Sequence, residues 1–330
     1  VTRADGILLV NLGTPQAPTP EAVRSYLAEF LSDPRVVELP RLLWWPILHG
    51  LVLRLRPARS ARKYAAVWTP EGSPLAAHTA RQAELLAARL ASVPGAATLR
   101  VDYAMRYGTP RIADAVAAMM AEGCATVRVI PLYPQYARST ALSVRDVLEA
   151  LRVGGRTKVP ALEMIEDFHR HPAYIGALEA GVRRHWEARG AGEILLMSFH
   201  GLPKRAVQRG DPYERQCHAT ARLLAQALEL EENQYRVTFQ SRFGPAQWLE
   251  PYTEPTLQAL AREGVRRVDV VTPGFVADCL ETLEEIGLGA RDAFLESGGQ
   301  EFHLLPCLNE SPDWIVGLAQ IALEHPARPV

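Results

Sequence analysis

The sequence predicts an α/β fold of two similar Rossmann-like domains with parallel sheets, and three observations carry the prediction. Apolar runs rich in β-branched residues alternate with Ala/Leu-rich segments at helical spacing, the pattern of βαβ units. A glycine break at Val153-Gly154-Gly155-Arg156 divides the 330 residues into halves of similar size. The halves also repeat each other. Ala121-Glu122-Gly123 leads through Val127–Ile130 to Pro131 and Tyr133, much as Arg262-Glu263-Gly264 leads through Val268–Val271 to Pro273 and Phe275. Ile7–Gly13 mirrors Ile194–His200 as a strand running into a turn. An ancient duplication is the simplest reading, and two such domains facing each other would form a ligand cleft lined by loops of both. The domains expected are 1–153 and 154–330, with a C-terminal helix at 312–323 packing back on the first.

Strands are expected at Gly6–Leu12, Thr98–Met105, Thr126–Pro131, Ala161–Ile165, Glu193–Phe199, Tyr235–Gln240, Arg267–Val271 and Glu301–Leu305. Helices are expected at Leu75–Leu90, Arg111–Met120, Thr140–Leu151, Ala173–Trp186 and Arg215–Leu228, with an acid-rich helix opening at Asp278. Arg41–Leu55 (RLLWWPILHGLVLRL) is too apolar for an ordinary surface, yet Pro46 and Gly50 interrupt it as a core helix, and Arg54, Arg56, Arg59 and Arg62 rim it. It suits a flat apolar molecule bearing carboxylates, or a membrane surface; the plainer reading is a helical hairpin packed on the sheet.

The composition excludes several classes. Lys plus Arg number 36 against 37 Asp plus Glu, so no net field draws the chain to nucleic acid. Cys124, Cys217, Cys279 and Cys307 form no CxxC pair, which argues against a disulfide framework or a structural zinc site. With no leader-like opening and no run of about 18 uncharged apolar residues, a cytoplasmic setting is expected. Neither GxGxxG nor GxxxxGK[ST] follows a strand, which leaves nucleotide binding without support.

His200 is the leading chemical candidate, because it ends an apolar strand and precedes Gly201-Leu202-Pro203, and open α/β sheets bind ligands beyond the carboxyl ends of their strands. As a neutral imidazole it can ligate a divalent metal or accept a proton. Glu281 is its expected partner, reached if the strand Arg267–Val271 adjoins that of His200. Glu285, four residues on, would share a helix face with Glu281. Asp278, near the start of the same helix, is at least as well read as an N-cap. Glu284 is expected to be solvated, and His169-x-His171 to be an exposed loop before a helix. Cys279 is disfavoured as a nucleophile by the acids around it.

Eight motifs in order then identify a resemblance covering nearly the whole chain: GILLVNLGTP (Gly6–Pro15), FLSDPRVV (Phe30–Val37), LLWWP (Leu42–Pro46), EGSPL (Glu71–Leu75), YPQY (Tyr133–Tyr136), SFHGLP (Ser198–Pro203), FQSRFG (Phe239–Gly244) and PGFVADCLETLEEI (Pro273–Ile286). The chain resembles the ferrochelatases, lyases that insert ferrous iron into protoporphyrin IX to give protohaem in the terminal step of haem biosynthesis, and its wording is nearest the proteobacterial branch. The resemblance implies a porphyrin cleft between two Rossmann-like domains, with His200 and Glu281 flanking the macrocycle as catalytic and metal-handling residues. It further implies that Leu12, Arg106, Tyr107, Tyr133, Trp248 and Phe275 contact the substrate, and that Asp278 and Glu285 line a metal or proton path.

No tightly bound cofactor is implied, since Fe²⁺ and protoporphyrin IX are substrates. Relatives that carry a [2Fe–2S] cluster use a cysteine just after YPQY and a cysteine cluster near the C-terminus. Here Arg138 takes the first place and Ser311–Val330 has no cysteine, so no cluster is expected. Peripheral contact with the inner membrane through Leu42–Leu53 is consistent with the apolar segment, and monomer and homodimer both stay open. Two other readings also stay open: a chelatase for another tetrapyrrole or metal (coproporphyrin, cobalt or nickel), and a non-catalytic porphyrin or haem carrier, which needs neither His200 nor Glu281.

Overall fold

Eight parallel strands and one short antiparallel strand build two sheets in the computed structural model, which describes residues 4–154, 159–244 and 246–330. The first sheet holds β1 (Gly6–Gly13), β2 (Arg100–Tyr107), β3 (Thr126–Pro131), β4 (Ala161–Met164) and β9 (Arg328–Pro329) in the order β2-β1-β3-β4-β9. The second holds β5 (Ile194–His200), β6 (Tyr235–Gln240), β7 (Arg267–Val271) and β8 (Glu301–Leu304) in the order β6-β5-β7-β8. Among the described residues only β9 runs antiparallel, against β4. Each expected strand begins and ends within two residues of its observed bounds.

The two sheets share one topology, with the first strand of each flanked by the second and the third. That central position explains the sequence of β1 and β5. A parallel strand paired on both edges and covered on both faces reads as a continuous apolar run rather than an alternating one. Ile7–Val10 and Ile194–Phe199 are buried throughout. In the second sheet, Leu196, Val268 and Val270 pack with Leu257, Leu260, Phe294 and Phe302 into one core cluster.

The chain forms two compact units: 1–133 with 137–167 and 319–330, and 134–136 with 168–318. The boundary expected at Val153–Arg156 lies partly outside the described residues, at Gly155 and Arg156. β4, which that boundary assigns to the second half, pairs with β3 through Thr126↔Ala161 to Val129↔Met164 and so completes the first sheet. The C-terminal helix Pro312–Glu324 passes from one unit to the other after Leu318. Within the first unit, the Arg128 guanidinium donates to the Ala322 carbonyl (2.6 Å) near the end of that helix.

The segment Arg41–Leu55 departs from expectation. Pro46 and Gly50 do not end the helix, which continues from Arg41–Ile47 through a π-turn, Leu48–Val52, into Leu53–Val67. A proline deletes one intrahelical donor, and a π-turn is a common way for a helix to absorb such a mismatch without stopping. Trp44 is buried and donates its indole N–H to the Leu31 carbonyl (2.7 Å), anchoring the inner face. The outer face stays open, with Leu42 91%, Leu43 64% and Leu55 66% exposed.

Candidate active site

Leu12, Arg106, Tyr107 and His200 lie in the last two residues of parallel strands and Tyr133 and Phe275 within four residues of a strand end, while Trp248, Asp278, Glu281 and Glu285 lie further along the chain. In the second unit, His200 is the last residue of β5 and pairs in register with Gln240, the last of β6. β7 lies on the other side of β5 and leads through Thr272–Ala277 into the segment bearing Asp278, Glu281 and Glu285. The chain therefore reverses direction in the sheet between β5 and β7, the switch point at which doubly wound sheets bind their ligands.

A backbone contact fixes the tautomer of His200. Its Nδ1 lies 2.7 Å from the carbonyl oxygen of Gly201. A carbonyl only accepts, so Nδ1 carries the hydrogen, and in the neutral imidazole Nε2 keeps its lone pair. The ring lies 6.4 Å, centroid to centroid, from Phe275, which supplies an aromatic wall.

Glu281 opens a π-helix, Glu281–Ala290, rather than continuing the α-helix that the sequence suggests. Glu285 lies within electrostatic reach of both His200 and Glu281. Burial pushes the Glu285 carboxyl above the usual carboxylate range. Hydrogen bonds from Ser241 and the nearby His200 draw it back down, while Glu281 pushes it up. Ser241 donates its backbone N–H to one oxygen of Glu285 (2.7 Å) and its hydroxyl to the other. Gln240 donates its side-chain amide to the Glu281 carbonyl (2.8 Å) and accepts the Ser198 hydroxyl (2.8 Å), which ties the strand ends to the start of the π-helix.

Asp278 is engaged otherwise. Its carboxylate accepts from the Thr282 hydroxyl (2.9 Å) and the Asn309 amide (2.7 Å), while its own N–H donates to Asn309 (2.9 Å). It is buried, but the N-cap expected of it does not form: the helix is preceded by Leu280 with no side-chain cap, and Asp278 is tied instead to the Thr282 hydroxyl and to Asn309. Glu284 is half-buried and engaged, not solvated as expected. The Cys279 thiol is buried and pushed well up, first by burial and then by Glu281, so it holds its proton. His171 is half-buried and caps the helix Pro172–Arg189 by accepting from the Ala173 N–H (3.3 Å), which replaces the exposed loop expected there.

Trp248 is half-buried, bridges to Pro203 and donates its indole N–H to the Phe243 carbonyl (2.9 Å). Gln240 and Ser241 are the residues that single-residue reasoning missed. Their signal was the motif FQSRFG at a strand end in register with His200.

In the first unit, Leu12, Arg106 and Tyr107 lie at the ends of β1 and β2, and Tyr133 lies two residues beyond β3. Arg106 and Tyr107 are already engaged. One oxygen of Asp33 accepts from Arg106 Nη2 (2.5 Å), the Tyr107 hydroxyl (2.7 Å) and the Ser143 hydroxyl (2.6 Å), and Arg106 Nε donates to Ser143 Oγ (2.7 Å). The Arg106 guanidinium also lies over the Tyr107 ring at 4.4 Å. Leu12 is half-exposed, and the Tyr133 hydroxyl is buried without a hydrogen-bond partner.

The site is thus a proton-accepting imidazole, two neighbouring carboxylates and aromatic walls on a strand-edge platform, a set able to take up protons and pass a divalent ion. Comparison with known proteins shows the family of the chain. Residues 4–326 match the family model described as Ferrochelatase. The ferrochelatase of Azoarcus sp. (strain BH72) is 59% identical over 317 residues, covering 96% of this chain and 86% of the relative. That of Aromatoleum aromaticum is 58% identical with the same coverage, and that of Polaromonas sp. (strain JS666) 54% identical. Among solved structures, SirB from Bacillus subtilis with Fe³⁺ superposes with a TM-score of 0.52 at 12% identity, covering 97% of this chain and 95% of its own. A multi-domain Deinococcus radiodurans protein with structural similarity to chelatases superposes at 0.54 and 13% identity, covering 99% of this chain and 58% of its own. At those identities the structural likeness speaks for the fold alone, whereas the family match and the relatives span nearly every residue: the chain belongs to the ferrochelatase family.

Proposed function

We propose that His200 and Glu281 carry the ferrochelatase reaction, insertion of Fe²⁺ into protoporphyrin IX, with Glu285 relaying charge to solvent. The supporting observation is the Gly201 carbonyl at 2.7 Å from His200 Nδ1, which places the ring hydrogen on Nδ1 and leaves Nε2 of the neutral ring as the free acceptor. Insertion must remove two pyrrole protons and strip water from the metal. Neutral His200 and the Glu281 carboxylate accept protons or pass the ion, and the raised Glu285 carboxyl takes up a proton more readily than an exposed acid. Phe275 and Trp248 contact the macrocycle from the second unit. Asp278 positions the π-helix and does not touch the reacting atoms.

The test is an anaerobic assay with protoporphyrin IX and Fe²⁺, with Zn²⁺ in parallel. His200→Ala is expected to lose about 10²–10⁴-fold in turnover while still binding porphyrin, and Glu281→Gln to lose a comparable factor. Unchanged turnover in His200→Ala removes it from the mechanism. Porphyrin binding without metalation by the parent chain favours the carrier reading, and turnover with coproporphyrin alone favours the other chelatase.

Fe²⁺ enters as substrate, and the chain holds no [2Fe–2S] cluster. Arg138 at the position of the first cluster ligand supports this, and acid-labile sulfide in the purified protein would overturn it. Among the described residues no helix is long and apolar enough to cross a membrane. The exposed Leu42, Leu43, Trp45 and Leu55 support peripheral contact with a bilayer. Sedimentation of the purified chain distinguishes monomer from homodimer.

A further inference from the structure

A second cluster of ligating side chains lies in the second unit, on the sheet rather than at its carboxyl edge. Asp269, in the middle of β7, pairs in register with His303 of β8, and the helix Pro172–Arg189 brings His185 to the same spot. His185 Nε2 lies 3.5 Å and His303 Nδ1 3.2 Å from Asp269 Oδ1, and one donor atom from each residue lies within 4.8 Å of the others. Three ligands each about 2.1 Å from a common ion, at tetrahedral or octahedral angles, stand about 3.0–3.4 Å apart. Two of the three separations are already near that range.

The surroundings prepare the carboxylate as a ligand. Asp269 is fully buried, and its other oxygen is held by the Trp186 indole N–H (2.7 Å) and the Gly192 N–H (2.7 Å). Only Oδ1 is left to face the imidazoles, the second-shell arrangement that orients metal-binding carboxylates. His185 Nε2 is itself buried without a hydrogen-bond partner. Gly192 leaves the carboxylate room, since a Cβ there would stand at a tight 3.0 Å from Asp269 Cγ. Arg267 is the opposing charge, its Nη2 3.4 Å from His303 Nδ1, but that nitrogen donates to the Gly190 carbonyl (2.6 Å), and Nε lies 3.6 Å from Glu301.

We infer that His185, Asp269 and His303 form an auxiliary site for a divalent first-row transition ion, separate from the catalytic residues. Two imidazoles and one carboxylate suit Fe²⁺, Zn²⁺ or Co²⁺ and leave positions for water. The site is remote from the chemistry: Asp269 is in register with Leu195, and His200 lies five residues further along β5, about 16 Å at ~3.3 Å per residue. A bound ion would staple the helix Pro172–Arg189 to β7 and β8, so its effect is on stability, not turnover.

The test uses the full chain stripped with chelator, with Zn²⁺ for stoichiometry and Co²⁺ for its visible spectrum. The parent is expected to bind one Zn²⁺ equivalent that His200→Ala retains and that His303→Gln and His185→Gln lose or bind at least about tenfold more weakly. Both variants should keep the parent's chelatase turnover but lose its Zn²⁺-dependent rise in Tm. Should either variant fail to fold, hydrogen exchange on the parent decides: Zn²⁺ should slow exchange in β8 and in the last turn of Pro172–Arg189. Equal Zn²⁺ stoichiometry in parent and variants, loss of all binding with His200→Ala, or no protection of β8 would each overturn the site.

Discussion

Ser241 holds Glu285 by both its backbone N–H and its hydroxyl, and it does so from a backbone φ of +63°. That left-handed conformation is uncommon for a residue with a side chain, and it survives here because two hydrogen bonds to a buried carboxylate hold it. The two bonds also restrain Glu285, whose carboxyl burial would otherwise raise further.

Ser241→Ala removes the hydroxyl bond and keeps the N–H bond. The Glu285 carboxyl then rises, so the acidic limb of the turnover-against-pH profile should move to higher pH. A profile superimposable on that of the parent would show that Glu285 takes no proton in the cycle.

Glu285→Gln tests the burial cost directly. Because the folded-state carboxyl is raised above its unfolded value, the folded protein binds more protons in the window between them, and stability falls as pH rises through that window. A glutamine can still accept from the Ser241 N–H and donate to its hydroxyl. Urea unfolding from pH 4 to pH 8 should therefore show the parent losing stability relative to the variant as pH rises.

Asp33→Ala should destabilise the first unit by about 3 kcal/mol, since it leaves the half-buried Arg106 guanidinium without its buried counter-charge. Chemical denaturation measures this, and a loss below about 1 kcal/mol would mean that Ser143 and water replace the carboxylate.

Leu42→Glu with Leu43→Glu should leave folding and soluble turnover intact, because both side chains point to solvent. Co-sedimentation with anionic vesicles is expected to drop. Unchanged co-sedimentation would move the membrane contact elsewhere.

Much of this architecture was legible before any coordinates. The β-branched runs located the strands because central parallel strands are buried on both faces, and β1 and β5 could hardly be anything else. The motif order singled out His200 and Glu281 as candidates. What stayed hidden depends on tertiary context. A π-helix at Glu281–Ala290 differs from an α-helix by hydrogen-bond register, which side-chain periodicity over ten residues does not resolve. The left-handed Ser241 had no glycine or asparagine to announce it. Asp33 was visible only as one letter of FLSDPRVV, although it gathers Arg106, Tyr107 and Ser143 onto one oxygen. β4 fell on the wrong side of a boundary drawn from glycines, because hydrogen bonding to β3, not local composition, decides membership of a sheet.

The matched strand orders show how symmetry is broken. Gly13 ends β1 opposite Tyr107 as His200 ends β5 opposite Gln240, so the two occupy equivalent stations in their sheets. At Gly13 the backbone has φ +105°, and a Cβ there would fall 1.8 Å from the Tyr107 carbonyl oxygen. No imidazole fits that station without rebuilding the strand pair. The two sheets therefore differ at this station, and steric exclusion at Gly13 leaves the first without a counterpart of His200.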